Sequence, residues 1–324
     1  MIEKIGILIV NTGTPDAPTQ SAVRAYLREF LSDKHVVKIP RILWLPILYG
    51  LILPRRPKQS VQFYQKIWTH EGSPMRVIMQ KLSASLQESF QKQPVAIELG
   101  MNYGQPSIQL GLENLRNQSV DRVIVLPLFP QYSDTTIASS VDLVKRALTQ
   151  INWHPAYDFI QGYSSQDAYI HALASSVHQA WDKQQAAQHL LISFHGIPKQ
   201  FIKNGDPYQS QCEQTTRLLA NELKLSAENY TLCYQSRFGY APWLGPSTQQ
   251  LLAELPQRGI KNIDIICPGF AVDCLETLEE IAIRGEKIFL QNGGQNFRYI
   301  PALNASKEQL ALLMQILFNY QLVL

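Results

Sequence analysis

Residues 190–198 have the sequence Leu-Leu-Ile-Ser-Phe-His-Gly-Ile-Pro, an apolar run that ends at a histidine. The run is short, rich in large apolar residues and closed by Gly-Ile-Pro, which is typical of a buried strand in a parallel sheet. His195 is therefore predicted at the carboxyl end of a central strand. Open α/β sheets bind their ligands at that end, so this imidazole is the first candidate for a functional group.

A pair of carboxylates occupies a similar position later in the chain. The run Cys-Pro-Gly-Phe-Ala-Val-Asp-Cys-Leu-Glu-Thr-Leu-Glu-Glu at 267–280 follows another predicted strand and opens a helix. On an α-helical wheel Glu276 and Glu280 share one side. The opposite, apolar side consists of Leu278, Ile281, Ala282, Gly285, Ile288 and Phe289. A strand-end imidazole and such carboxylates can bind one metal ion or accept a pair of protons.

Both candidates also have a purely structural interpretation. His195 can hydrogen-bond a neighbouring loop, and Asp273 can cap the helix with Glu276 at the third position, as in a capping box. Glu280 is then simply solvated. The two like charges four residues apart weigh against this interpretation, because they cost stability unless a cation lies between them.

Strand and helix patterns alternate along the chain, which predicts parallel sheets built from right-handed βαβ units. Predicted strands cover 5–12, 95–102, 122–129, 157–163, 190–195, 230–235, 263–267 and 297–300, and predicted helices cover 21–30, 75–91, 108–117, 137–149, 167–181, 209–223, 247–255, 275–291 and 306–320. Eight strands are compatible with one barrel. However, residues 8–15 resemble residues 191–198, with Thr12 in the place of His195, and this repeat favours two similar sheets.

The composition excludes several classes of protein. A length of 324 residues accommodates two domains, and a net charge of +3 without an Arg/Lys cluster argues against nucleic acid. No glycine motif for a nucleotide follows any strand. Four cysteines without zinc spacing, no signal sequence and no stretch of transmembrane length predict a cytoplasmic protein. We expect it to be monomeric or weakly associated.

Residues 42–53, Ile-Leu-Trp-Leu-Pro-Ile-Leu-Tyr-Gly-Leu-Ile-Leu, form the most apolar stretch of the chain. One interpretation is a buried helix or loop. The other, favoured by its Pro and Gly, is an irregular lip that covers a flat ligand or touches a membrane, with Trp44 and Leu48 among its contacts. Basic residues on both sides would then lie near lipid headgroups: Lys38, Arg41, Arg55, Arg56 and Lys58.

Two further strand ends carry side chains suited to a planar ligand. Residues 234–247 have the sequence Tyr-Gln-Ser-Arg-Phe-Gly-Tyr-Ala-Pro-Trp-Leu-Gly-Pro-Ser. Trp243 and Tyr240 can stack on such a ligand, and Arg237 can pair with a carboxylate. Residues 126–136 likewise end a strand with aromatic and hydroxyl groups.

Together these stretches resemble the ferrochelatases, enzymes that insert ferrous iron into protoporphyrin IX. The similar runs occur in family order: Asn-Thr-Gly-Thr-Pro at 11–15, Pro-Gln-Tyr-Ser at 130–133, Ser-Phe-His-Gly-Ile-Pro at 193–198, the aromatic run within 234–246, and Pro-Gly-Phe with Asp-Cys-Leu-Glu-Thr-Leu-Glu-Glu within 268–280. Each run is weak alone, whereas the ordered set spans nearly the whole chain and is highly specific.

The resemblance implies the chelatase fold: two similar Rossmann-like domains, each a parallel sheet of about four strands flanked by helices. The first domain is expected at residues 1–160 plus the C-terminal helix 304–324, and it carries the lip. The second is expected at residues 161–303 and carries His195 and Glu276.

The resemblance also implies roles for single residues. His195 and Glu276 are expected to bind the iron, and Glu280 is expected to act as a further catalytic carboxylate. The expected porphyrin contacts are Thr12, Gly13, Trp44, Leu48, Tyr103, Phe129, Ser133, Arg237 and Trp243.

The resemblance implies that ferrous iron and protoporphyrin IX are the substrates. The products are protoheme and two protons, and the reaction is the last step of heme b biosynthesis. No permanently bound cofactor is expected. Animal members of the family have a cysteine at the position of Asp134 and further cysteines in a C-terminal extension. This chain has neither feature, so no iron–sulfur cluster is expected. Animal members also have a histidine in the place of Cys274, which leaves a third metal ligand open. Contact with the inner face of a membrane through residues 42–53 is open as well.

Three alternatives are compatible with the same residues. A non-catalytic porphyrin or metal carrier would need the aromatic pocket and the lip without a pair such as His195 and Glu276. A related chelatase would load cobalt or nickel into another tetrapyrrole. Coproporphyrin III is an alternative porphyrin substrate.

Overall fold

The computed structural model describes residues 3–239 and 241–320, which form two compact α/β units. Unit 1 comprises residues 3–129, 133–162 and 316–320, and unit 2 comprises residues 130–132, 163–239 and 241–315. Each unit contains one four-stranded parallel sheet, so the prediction of two sheets is confirmed and the single barrel is wrong. At the C-terminus the division differs from the expected one, because residues 304–315 belong to unit 2.

Unit 1 has the strand order β2-β1-β3-β4. Its elements are β1 (Ile5–Thr14), α1 (Gln20–Leu31), α2 (Arg41–Ile47), α3 (Leu53–Ile67), α4 (Pro74–Ser89), β2 (Val95–Gly104), α5 (Ile108–Asn117), β3 (Arg122–Pro127), α6 (Ser139–Gln150) and β4 (Ala156–Phe159). Two short π-helical segments, Leu48–Ile52 and Asp134–Ala138, precede α3 and α6.

Unit 2 repeats this topology with the strand order β6-β5-β7-β8. Its elements are α7 (Asp167–Lys183), β5 (His189–His195), α8 (Lys199–Lys203), α9 (Tyr208–Glu222), β6 (Tyr230–Gln235), α10 (Thr248–Glu254), β7 (Asn262–Ile266), a π-helix (Glu276–Gly285), α11 (Glu286–Gln291), β8 (Asn296–Ile300) and α12 (Lys307–Asn319). Short 3₁₀ turns lie at Ala227–Asn229 and Leu255–Arg258. Since β1 and β5 occupy equivalent places, the sequence repeat reflects a real structural one.

The central strands are buried along almost their whole length. In unit 1, Leu8 and Val125 pack with Leu112 and Val144 from the helices, so the sheet is covered by apolar side chains. In unit 2, Leu191 and Ile265 are part of the corresponding cluster with helical residues. Strands of parallel sheets are apolar because helices cover both faces. Polar side chains therefore become accessible chiefly where a strand ends.

The end of β1 requires a glycine. Gly13 has a φ of +103° and pairs in register with Tyr103 of β2. A Cβ atom on Gly13 would lie 1.9 Å from the carbonyl oxygen of Tyr103. Only a residue without a side chain fits there.

Residues 41–67 are helical, so the prediction that the backbone of the lip is irregular is wrong. α2 continues through the π-helical segment into α3, and Pro54 lies in the first turn of α3, where a proline is tolerated. The predicted contact residues Trp44 and Leu48 lie on this helical segment, and their role toward a ligand stays a prediction. Both are buried in unit 1, and the Trp44 indole N–H donates to the Leu31 carbonyl at 2.7 Å.

The neighbours of these two anchors point to solvent and form an exposed apolar face. Its members are Ile39, Ile42, Leu43, Leu45, Ile47, Tyr49 and Leu51. They include Ile42, whose side chain is 83% exposed. Within residues 3–239 and 241–320, no helix combines the length and the apolar character needed to cross a membrane.

We expect Leu48→Ala to lower the free energy of unfolding by about 2–5 kcal/mol, because the leucine is fully buried and its truncation leaves a cavity. Leu51→Ala is the matched control, since Leu51 is 52% exposed and its loss should change stability by less than about 0.5 kcal/mol. Urea denaturation followed by circular dichroism measures both. Equal losses would contradict the assignment of Leu48 as an anchor.

Candidate metal and proton site at the strand ends of unit 2

His195 is the last residue of β5 and is half-buried. Its Nδ1 atom lies 2.6 Å from the carbonyl oxygen of Gly196. A carbonyl oxygen only accepts, so Nδ1 carries the proton. In the neutral imidazole Nε2 then holds a lone pair, and none of the described residues hydrogen-bonds to it. This nitrogen can accept a proton or bind a metal ion.

The backbone after His195 lies against β6 and the loop that follows it. His195 pairs in register with Gln235, and the Gly196 N–H donates to the Gln235 carbonyl at 2.8 Å. A Cβ atom on Gly196 would lie 2.8 Å from that oxygen and 3.3 Å from the Trp243 ring. The glycine therefore lets Trp243 come close to the backbone beside the candidate histidine.

The helix that begins at Glu276 is a π-helix over ten residues, not an α-helix. Its i→i+5 hydrogen bonds change which residues share a face, so the α-helical wheel is wrong in detail. Thr277 and Glu279 are buried, whereas Leu278 and Ala282 are only half-buried. The buried Glu279 carboxylate pairs with the Arg284 guanidinium at 3.2 Å.

Glu280 is held at the end of β6 by Ser236. Its two carboxylate oxygens accept hydrogen bonds from the Ser236 N–H at 2.8 Å and from the Ser236 hydroxyl at 2.6 Å. Ser236 adopts a left-handed φ of 64°, an uncommon conformation for this residue type that the two bonds stabilise. The interpretation of Glu280 as a freely solvated side chain is therefore wrong.

Glu276 contacts Gln235 through its backbone and Cys274 through its side chain. Its carbonyl accepts a hydrogen bond from the Gln235 side-chain amide at 2.8 Å. Burial, followed by the charge and hydrogen bond of the Glu276 carboxylate, raises the pKa of the Cys274 thiol well above its ordinary value. Cys274 is therefore a protonated thiol beside Glu276, not a thiolate.

Asp273 does not cap the helix, so the capping-box interpretation is wrong. No side chain caps the π-helix. The buried Asp273 carboxylate instead accepts hydrogen bonds from the Thr277 hydroxyl at 2.9 Å, the Tyr299 phenol at 2.5 Å and the Asn304 amide at 2.7 Å. These bonds connect the segment before the helix to β8 and to the chain after it.

The other predicted contacts in unit 2 lie on the loop after β6. Arg237 is exposed, and Trp243 is half-buried with an indole N–H that has no partner within the described part of the chain. Tyr240 lies outside the described residues. Across residues 3–239 and 241–320, no three His, Cys, Asp or Glu side chains are grouped closely enough to hold a metal ion.

The predicted contacts in unit 1 lie at the carboxyl ends of β1, β2 and β3. Thr12 is half-buried, whereas Phe129 is almost fully buried. The phenol of Tyr103 donates to the Asp33 carboxylate at 2.8 Å, and burial raises its pKa well above the ordinary value. The hydroxyl of Ser133 accepts from the Thr135 N–H at 3.3 Å. Their roles toward a ligand stay predictions.

Two polar residues at the end of β6 are not among the site residues predicted from the sequence. Gln235 and Ser236 contact the helix that carries Glu276 and Glu280, but neither was singled out within the aromatic run. A polar residue that closes a predicted buried strand, as Gln235 does, was the available signal. Such a residue is normally retained only with hydrogen-bond partners.

Solved structures with similar folds are chelatases. SirB from Bacillus subtilis, solved with Fe³⁺, matches with a TM-score of 0.57 and 13% identity over 98% of this chain and 95% of that chain. CbiX, described as the terminal enzyme of siroheme biosynthesis in denitrifying bacteria, matches with a TM-score of 0.53 and 13% identity over 98% of this chain and 99% of that chain. At this identity the likeness shows the fold alone, which is the chelatase fold.

Sequence comparison identifies the family within this fold. The ferrochelatase family model matches residues 4–320. The ferrochelatase of Mannheimia succiniciproducens is 48% identical over 318 residues, 98% of each chain, and that of Vibrio cholerae is 46% identical over 311 residues, 96% of each chain. Ferrochelatase 1 of Shewanella oneidensis is 47% identical over 95% of this chain and 93% of its own. The chain belongs to the ferrochelatase family.

We expect Cys274 to resist alkylation by iodoacetamide at pH 8 in the folded protein. The thiolate is the reactive form, and a raised pKa keeps the proton on the sulfur at a pH where an ordinary thiol is partly ionised. Mass spectrometry of the peptide containing Cys274 measures the reaction. The same protein in guanidinium chloride is the control, and an equal rate in both conditions would contradict the protonated thiol.

Proposed function

We propose that this chain inserts ferrous iron into protoporphyrin IX, the reaction of the ferrochelatases. The metal ion replaces the two hydrogens on the ring nitrogens, so the products are protoheme and two protons. This is the last step of heme b biosynthesis. The observation that carries the proposal is the Nε2 lone pair of His195, presented at the carboxyl end of a central strand.

His195 is proposed to act through Nε2. The nitrogen either accepts a proton from a ring N–H or binds the incoming Fe²⁺, for which imidazole is a suitable ligand. Both roles require the neutral imidazole with its proton on Nδ1. The Gly196 carbonyl supports that tautomer, because it accepts the Nδ1 hydrogen bond.

Glu276 and Glu280 are proposed to supply the negative charge that metal and protons need. Glu276 would bind Fe²⁺ together with His195, and its neighbour Cys274 would contribute a thiol hydrogen bond to the carboxylate and no metal bond. Glu280 has a fixed place through Ser236 and would accept protons that leave the ring.

The porphyrin is proposed to contact the loop after β6. The exposed guanidinium of Arg237 suits a propionate, and the ring of Trp243 suits the face of the macrocycle. In unit 1 we propose contacts at Thr12, Gly13, Tyr103, Phe129 and Ser133, which lie at or just after the carboxyl ends of β1, β2 and β3.

We expect His195→Ala and Glu276→Gln each to lower kcat for metal insertion by about 100-fold or more, because each removes a group that takes part in proton or metal transfer. The matched controls are His154→Ala and Glu286→Gln, which change exposed residues of the same types. Fluorescence of protoporphyrin IX during Zn²⁺ insertion measures the rate.

Two outcomes separate this proposal from its alternatives. If either variant keeps more than a tenth of the wild-type rate, that residue does not have the proposed role. If the wild type binds porphyrin without inserting metal, the chain is a carrier. Parallel assays with coproporphyrin III and with Co²⁺ or Ni²⁺ compare the alternative substrates.

We further propose that the exposed apolar face touches the surface of an anionic membrane, from which hydrophobic porphyrin is exchanged. Charge supports this partner. Residues 34–70 contain seven Lys or Arg and no Asp or Glu, although the whole chain has a net charge of only +3. An apolar helical face with basic neighbours is typical of helices that lie in the interface of anionic membranes.

We expect the protein to sediment with phosphatidylglycerol vesicles at low salt and less at 0.5 M salt, because added salt shortens the Debye length and screens the attraction between the basic residues and the anionic headgroups. Ile42→Ser combined with Leu43→Ser should weaken binding about tenfold, since two apolar side chains no longer enter the interface. Leu110→Ser, on an exposed apolar residue of α5, is the control. Unchanged binding of the double variant would exclude this face as the contact.

A further inference from the structure

We propose that Gln235 is a positioning residue that sets the His195 imidazole and the Glu276 carboxylate relative to one another. This inference rests on the proposed roles of those two residues. It concerns the side chain through which β5, β6 and the π-helix are connected in unit 2.

Gln235 acts on His195 through the backbone. The two residues are paired in register, and the Gln235 carbonyl accepts the Gly196 N–H at 2.8 Å. The carbonyl of the same Gly196 accepts the hydrogen bond from Nδ1 of His195. Gln235 therefore fixes the residue whose carbonyl selects the tautomer and the orientation of the imidazole ring.

Gln235 acts on Glu276 through its side chain. Its Nε2 donates to the Glu276 carbonyl at 2.8 Å, at the first residue of the π-helix. Holding this carbonyl fixes the Cα atom from which the Glu276 carboxylate extends. One residue thus contacts the backbone of Glu276 and that of Gly196, the residue after His195.

The side-chain amide of Gln235 has only one consistent orientation. Its Oε1 faces the Ser193 hydroxyl at 2.8 Å and the Cys267 thiol at 3.4 Å, and both groups can donate to it. The Ser193 hydroxyl also shares a hydrogen bond of 2.8 Å with Thr248. The Glu276 carbonyl only accepts, so the amide nitrogen and not the oxygen must face it.

Burial makes this arrangement rigid. Gln235 is only 3% exposed, and a buried amide is costly unless its groups are paired, as they are here. A leucine of similar size would fill the same space without that cost. The amide is therefore needed to position the Glu276 carbonyl and not to fill space. Ser236, the next residue, positions the Glu280 carboxylate through two hydrogen bonds.

The test compares Gln235→Leu with Gln257→Leu. Gln257 is exposed in the same unit and also donates from its amide to a backbone carbonyl, that of Asn292 at 2.8 Å. Zn²⁺ is the probe, with protoporphyrin IX in the rate assay and alone in a binding titration. We expect Gln235→Leu to lower kcat and Zn²⁺ affinity about 10- to 100-fold, with the KM for porphyrin within twofold. Gln257→Leu should change none of them.

A second variant adds a signature that a loss of packing would not produce. Gln235→Glu keeps the shape, but only the protonated carboxyl can donate to the Glu276 carbonyl. A lower kcat in this variant therefore reports the lost hydrogen bond and not a change of packing. Ser193→Ala, which removes one donor to Oε1, should give a smaller loss, and it provides a test if Gln235→Leu does not fold.

Several results would overturn the proposal. For Gln235→Leu, the first such result is a kcat within twofold of the wild type. The second is a loss of kcat that equals the unfolded fraction of the variant in a thermal melt. The third is a rise in the KM for porphyrin with kcat unchanged. If the wild-type protein does not insert Zn²⁺ at all, the proposed function fails instead, and the two failures are distinguishable.

Discussion

Burial of the first strand of each sheet on both faces is the constraint on which this structure depends. β1 and β5 lie inside four-stranded parallel sheets, with apolar side chains along their length. In such strands, side chains that can bind a ligand are accessible chiefly at the carboxyl ends, where the strand stops and the chain turns. His195 ends β5, and the turn at Thr12 and Gly13 lies at the equivalent end of β1. The repeated topology places the candidate groups of each unit at the same kind of position.

A second constraint comes from the π-helix. Its wider turn brings Glu279 into the interior, where the Arg284 guanidinium compensates the charge. Glu276 and Glu280 remain at the half-buried surface, and both are held by residues at the end of β6. π-helical segments occur frequently at functional sites. Here polar contacts from outside the helix hold the Glu280 carboxylate and the backbone carbonyl of Glu276.

The helical segment 41–67 keeps several apolar side chains exposed to solvent although the segment itself is packed on unit 1. Trp44 and Leu48 anchor the segment to unit 1, and the residues between them expose their side chains. Large exposed apolar patches are uncommon on proteins that do not use them for contacts. Positions 34–70 contain no acidic residue, and Asp142 and Asp134 from α6 and the π-helical segment before it pair with Lys34 and Lys38 at the start of this stretch.

The alternation of strands and helices, the position of His195 at a strand end and the family were all predictable from the sequence. Strand period, turn residues and short motifs in a fixed order can be recognised without the tertiary structure. The sequence did not determine the helical state of residues 41–67, since Pro and Gly argue locally against a helix that tertiary packing of Trp44 and Leu48 stabilises. It also did not determine the π-helix or the role of Gln235. The partners of Gln235 at Ser193, Cys267 and Glu276 are far apart in the chain and meet only when the sheet is assembled.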